Sequence, residues 1–189
     1  DRFDLAGHDF GAMVGWHVAA YHPDRLRHLA ILNVPHPAVM GEFLRSNGEQ
    51  RRRSWYIFFF QLLLLPEIVV RAFNWRMLAN AMSDSLTAEE LDRYRAAWSQ
   101  QRAITAMINW YRAGALRDSG AAPVGRITVP TLMIWGKHDP HLMWQMAPPS
   151  VALCDEGRLA FIDDATHWVQ WERPERVNRL LLGHFGDGR

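Results

Sequence analysis

An aspartate stands between two glycines in Gly7-His8-Asp9-Phe10-Gly11, preceded by the strand-like run Phe3-Asp4-Leu5-Ala6 and followed by Ala12-Met13-Val14-Gly15-Trp16. Glycines flanking one central residue suit a strained strand-to-helix turn, because they let the backbone approach itself closely. The central side chain is then pushed out at the end of a sheet, beside the positive end of the following helix. The commoner version of this turn carries serine there. Asp9 can attack as a nucleophile without first losing a proton, forming a covalent ester. Five residues alone leave a second reading open, in which Asp9 only caps the helix.

Two more residues follow immediately after apolar runs. Val129-Pro130-Thr131-Leu132-Met133-Ile134-Trp135-Gly136 reads as a buried strand running into a glycine turn, with Asp139 just beyond. Arg158-Leu159-Ala160-Phe161-Ile162 reads as the last strand, with His167 beyond it. Strand ends of a parallel sheet lie along one edge, so Asp9, Asp139 and His167 can converge. Nucleophile, acid, histidine is the chain order of the α/β-hydrolase triad. Taken singly, Asp139 reads as a turn aspartate before proline and His167 as a loop histidine. Three such residues after three strands, in that order, make coincidence the minor reading.

The positioning elements follow from the apolar pattern. Ala12 to Tyr21 reads as a helix ended by His22-Pro23, and Leu29-Ala30-Ile31-Leu32 as a buried strand. Strand, helix and strand at this spacing form a βαβ unit and imply a parallel sheet with helices on its faces. After Asn33-Val34-Pro35-His36-Pro37, residues 39–46, 50–64, 67–80, 86–100 and 103–116 all read as helices. Thr87-Ala88-Glu89-Glu90 resembles a capping box, and Gly120-Ala121-Ala122-Pro123 a hinge. A short helix is expected at 142–146 and a terminal one from Arg173-Pro174-Glu175 to His184-Phe185. The expected organisation is core at 1–37, an all-helical lid at 38–124, and core again at 125–189.

Composition narrows the function classes. The 189 residues are nearly half apolar, with net charge +1, which gives no reason to expect nucleic acid. A single cysteine, Cys154, forms no internal disulfide framework and fits a reducing, cytoplasmic setting. No Cys/His cluster has zinc spacing. The apolar run at 55–70 is broken by Gln61, Pro66 and Glu67, so membrane association is not expected. Arg51-Arg52-Arg53 reads as a solvated basic turn.

The sequence resembles the epoxide hydrolases of the α/β-hydrolase superfamily. The resemblance is carried by Gly7-His8-Asp9-Phe10-Gly11, Asn33-Val34-Pro35-His36-Pro37, Ser54-Trp55-Tyr56 through Phe60-Gln61, Met107-Ile108-Asn109-Trp110-Tyr111-Arg112, Trp135-Gly136-Lys137-His138-Asp139 and His167-Trp168-Val169-Gln170. It implies an α/β-hydrolase fold with an inserted helical lid, acting on a small lipophilic epoxide and water, without metal or organic cofactor. Tyr56 and Tyr111 would hold and protonate the epoxide oxygen, which a neutral phenol can do. Asp9 would form the ester, and His167, oriented by Asp139, would activate the water that cleaves it. The Phe10 N–H would donate to the oxyanion, and His8, Phe60, Trp110 and Trp168 would contact substrate. Phe10 stands where the family usually carries tryptophan. This departure weighs against a haloalkane dehalogenase, which needs that indole N–H for halide. The strands that precede the elbow in the complete fold are not seen, so the N-terminal part of the sheet is expected to be missing and the isolated chain unstable and nearly inactive. A dehalogenase-like hydrolase, an ester or lactone hydrolase, and a non-catalytic fragment are the rival readings.

Overall fold

The apolar runs bounded by turn residues become strands of one sheet in a computed structural model that describes residues 1–82, 86–116 and 125–186. β1 (Phe3–His8), β2 (Leu26–Leu32), β3 (Thr131–Gly136) and β4 (Gly157–Ile162) lie in that order and are all parallel. All six residues of β3 are buried, as are the last four of β2. A strand covered on both faces needs such a continuous apolar run. Its side chains still alternate: Met133 and Trp135 join one core cluster, Leu132 and Ile134 the other.

Helices cover both faces. α1 (Phe10–Tyr21) presents Ala12, Gly15, Trp16 and Ala19 to the first cluster. It lies so close that a Cβ on Gly15 would sit 3.1 Å from Leu29 and 3.2 Å from Ile31. α10 (Pro174–Gly186) supplies Val177, Leu180 and Leu181 to the second cluster. This is the expected α/β-hydrolase architecture.

Local details differ from the sequence reading. The helix expected at 50–64 is two short ones, α3 (Gly48–Arg53) and α4 (Trp55–Phe59), parted at Ser54. The stretch expected at 67–80 lies within α5 (Leu65–Met82), whose backbone leaves helical geometry from Ala72 to Trp75. α2 (Pro37–Ser46), α6 (Ala88–Trp98) and α7 (Ala103–Leu116) stand close to expectation, and the Thr87–Glu90 capping box is formed on both sides. In place of a helix at 142–146 there is a 3₁₀ turn at Trp144–Met146 followed by α8 (Ala147–Val151). Its two prolines occupy the first turn, where their missing N–H groups cost nothing. The terminal helix is preceded by a separate turn, α9 (Val169–Glu172). The expected hinge at 120–123 lies outside the described residues.

The chain divides into two compact units, Asp1–Arg53 with Ala122–Arg189, and Ser54–Ala121. The first contains the sheet. The second contains α4 to α7 and is tied together by the largely buried ion pair Arg112–Glu67, 2.7 Å, with Arg112 also donating to the carbonyls of Phe60 and Leu62. No helix among the described residues is long and apolar enough to cross a membrane.

Candidate active site

Each of the four strands delivers one polar residue just past its C-terminal end: Asp9, Asn33, Asp139 and His167. Asp9 sits at the N-cap of α1 with φ 51° and ψ −126°, outside the comfortable regions for a residue bearing a Cβ. Gly7 makes this turn possible, since a Cβ there would lie 2.4 Å from the Gly11 carbonyl oxygen. Gly11 itself has open space around the same position. The expectation that both glycines are sterically required is therefore corrected: only the first is. Phe10 opens α1, and Ala12 and Met13 already donate to the Asp9 carbonyl.

The buried Asp139 carboxylate is fully engaged. Its Oδ2 accepts from His167 Nδ1 at 2.7 Å and from Asn33 Nδ2 at 2.9 Å. Its Oδ1 accepts from the backbone N–H groups of His141 and Leu142 at 2.8 and 2.9 Å. Burial alone would raise the Asp139 pKa, but the His167 charge and hydrogen bond, the Asn33 amide and the Leu142 N–H outweigh it and hold the group below its ordinary value. The converse applies to His167. Burial pulls its pKa down, while Asp139 and the nearby charges of Asp9 and Glu172 push it further up, leaving a base stronger than ordinary histidine. With Nδ1–H committed to Asp139, the neutral ring presents Nε2 as its acceptor.

Asn33 is the residue that sequence reasoning missed. It is fully buried at φ 52°, and its Oδ1 accepts from the Gly136 N–H at 2.9 Å while its Nδ2 reaches Asp139. Asparagine tolerates this left-handed backbone better than most residues. The available signal is its place: a polar residue directly after a buried strand, as Asp9 is directly after β1. Gly136 contributes by its lack of a side chain, because a Cβ would lie 2.2 Å from the Thr166 carbonyl oxygen in the loop that carries His167.

His8 contacts protein rather than offering its nitrogens to a ligand. Its Nε2 donates to the His167 carbonyl at 2.8 Å and its Nδ1 accepts from Gln170 at 3.3 Å. Burial first, then the His167 charge, lowers its pKa to about 4, so the ring is neutral. Both ring nitrogens of His8 are thus tied to the loop and helix that follow His167. Trp168 packs against both rings, 5.3 Å from His8 and 5.4 Å from His167. His141 meets His167 edge-on at 5.7 Å, and burial lowers its pKa as well. Among the described residues no group of three or more His, Cys, Asp or Glu could hold a metal ion.

In the helical unit, Tyr56 and Tyr111 stand edge-to-face with ring centroids 5.8 Å apart. Phe60, nearly buried, packs 4.9 Å from Tyr111, and Gln61 donates to the Tyr111 carbonyl. Trp110, by contrast, is 56% exposed.

A parallel sheet with an elbow aspartate and an acid–histidine pair at its strand ends is the arrangement of a hydrolase core. Residues 1–174 match the family described as alpha/beta hydrolase fold, and the chain belongs to that family. Over 186 residues it is 40% identical to the AB hydrolase superfamily protein YfhM of Bacillus subtilis, covering 96% of this chain and 65% of that protein. Over 188 residues it is 35% identical to Epoxide hydrolase 2 of Caenorhabditis elegans, covering 94% of this chain and 52% of the relative. A mutant of an epoxide hydrolase from Bacillus megaterium superposes with a TM-score of 0.86 at 25% identity, over 98% of this chain and 70% of that one. The chain thus spans between half and two-thirds of the length of these curated relatives.

Proposed function

We propose that the chain carries the catalytic machinery of an epoxide hydrolase that opens a small lipophilic epoxide to a vicinal diol through an ester on Asp9. In this reading the Asp9 carboxylate attacks an epoxide carbon, the C–O bond breaks, and Tyr56 and Tyr111 of a helical lid protonate the departing oxygen. Nε2 of His167 then takes a proton from water, the resulting hydroxide attacks the Asp9 carbonyl carbon, and the Phe10 N–H helps stabilise the oxyanion. The ester C–O bond breaks, His167 returns its proton to the departing alkoxide, the acid proton of the regenerated Asp9 restores the tyrosine, and the diol leaves. The observation that carries the reading is the buried Asn33–Asp139–His167 chain beside an aspartate, not a serine, on the strained elbow. The paired tyrosines in the helical unit and the epoxide hydrolases among the relatives support it further.

The test is intact-mass spectrometry of a His167→Gln variant incubated with styrene oxide. Loss of the base stalls the second step, so the protein gains the mass of one epoxide, located by digestion on Asp9. No epoxide adduct, together with an alkyl group gained from a haloalkane, would assign a dehalogenase instead. No adduct from either reagent would make the chain a non-catalytic hydrolase relative.

A further inference from the structure

Asp139 is steered by more than its immediate partners. The two N–H groups that hold its Oδ1 belong to the loop 139–143, and that loop is gripped from outside by α3. The Gln50 side chain, fully buried, donates from Nε2 to the His141 carbonyl at 2.9 Å and accepts from the Met143 N–H at Oε1 at 3.0 Å. Both bonds fall on either side of Leu142, whose N–H is one of the two donors to Asp139. One turn of helix further on, Arg53 donates from Nη1 to the Asp139 carbonyl at 3.0 Å while pairing with Glu49 at 2.6 Å. The α3 helix itself is pinned by Asn47, whose Oδ1 accepts from the Gln50 N–H at 3.0 Å.

We infer that Gln50 and Arg53 are positioning residues for Asp139: the two-point amide bond and the guanidinium bond set the curl of loop 139–143 and so direct Oδ2 of the carboxylate at His167. Three bonds from one short helix to consecutive parts of the acid loop are more than packing requires, and loss of the two made by the fully buried Gln50 side chain leaves the His141 carbonyl and the Met143 N–H unpaired. The inference rests on the hydrolytic reading for its effect on turnover, but the orientation of Asp139 can be tested without a substrate.

The experiment uses the full chain with Gln50→Met, which keeps the volume and removes both bonds, and Arg53→Met. The imidazole proton signal of His167, assigned by its loss in His167→Gln, is titrated by NMR. Asp9, Glu172, His8 and His141 also face His167 and are the same in all variants. Both variants are expected to bind the His167 proton less tightly than wild type, by roughly tenfold in Gln50→Met, corresponding to one pH unit. With styrene oxide, decay of the Asp9 ester should slow ~10–100-fold, the usual range for outer-shell partners. Its formation, which needs no base, should be unchanged.

An unaltered His167 titration in both variants overturns the inference, as does an equal slowing of ester formation and decay, which marks a general loss of structure. Should Gln50→Met fail to fold, Arg53→Met on the partly exposed side carries the same test. A wild-type chain that forms no ester refutes the epoxide reading, yet leaves the titration to decide on Gln50 and Arg53.

Discussion

Replacing Asn33 by alanine removes its two short buried hydrogen bonds, along with longer ones from Nδ2 to the Gly136 and Thr166 carbonyls, and the costs of the short pair can be worked out separately. The bond from Nδ2 to the Asp139 carboxylate at 2.9 Å is charge-assisted, a class that contributes ~1.5–3 kcal/mol. The bond from the Gly136 N–H to Oδ1, also 2.9 Å, leaves behind an unpaired buried donor worth ~1–3 kcal/mol. Alanine must also hold φ 52°, where its Cβ costs ~1–2 kcal/mol that asparagine partly escapes. Because neighbouring terms do not add fully, the expected loss is about 4 kcal/mol, a large share of the roughly 5–15 kcal/mol typical of a folded domain. Asn33→Gly loses the same bonds without the Cβ clash, at ~0.5–1 kcal/mol of extra unfolded-state entropy. It should therefore be the more stable of the two by about 0.5–1 kcal/mol, from the difference of those two effects. Urea unfolding followed by tryptophan fluorescence measures all three proteins. The sign of the pH dependence is fixed too. Asp139 has a depressed pKa, so the stability it contributes is present above the ordinary carboxylate value and lost as pH falls through its folded value. The Asn33→Ala penalty should thus shrink on acidification. An alanine variant within 1 kcal/mol of wild type at neutral pH, with an unchanged urea slope, would refute this account of the strand-end network.

Three other perturbations separate what the structure makes essential from what it tolerates. Gly7→Ala should destabilise by at least ~2–3 kcal/mol through backbone overpacking, whereas Gly11→Ala, in open space within α1, should be neutral or stabilising by ~0.5–1 kcal/mol; urea unfolding of the pair decides. On the proposed mechanism, decay of an Asp9 ester should rise with pH along a limb centred above the ordinary histidine value of 6.5, because the His167 pKa is raised and the ring must be neutral to act as the base, and Asp139→Asn should move that limb to lower pH. Stability runs the other way there: the contribution of His167 is complete below 6.5 and is lost as pH rises through its folded value, which thermal melts at several pH values will show. Burial pushes the Cys154 thiol up to about 11, so the folded protein should resist a thiol-specific disulfide reagent at pH 8 until denaturant is added.

The sheet was legible because a strand buried on both faces has little choice of residue: β3 shows five apolar or small side chains in a row ended by a glycine, a pattern that survives reading without neighbours. The same holds for Asp9, Asp139 and His167, whose types and positions after strands express local constraints. Asn33, just after β2, and Gln50, between Glu49 and Arg51 in α3, escaped because their partners lie 106 and 93 positions away. Nothing local distinguishes Gln50 from a solvated helix residue, and Asn33 offered only its place after β2. The bonds of His8 were out of reach for the same reason, since they run to His167 and Gln170 at the far end of the chain. In 50–64 the stop at Ser54 escaped because serine is also tolerated inside a helix.

The chain leaves the sheet after β2 and rejoins it at β3, its immediate neighbour, with the unit Ser54–Ala121 between them. Closing a loop costs free energy only as the logarithm of its length, about 0.6 kcal/mol for each doubling. The pairing of β2 with β3 is therefore nearly indifferent to how much chain is inserted there. Over evolutionary time such an insertion point can accept helices of other lengths and linings while the four strand-end residues keep their register. Inheritance can then vary the inserted helices without touching the strand-end network, and an engineer can graft helical inserts at the same junction.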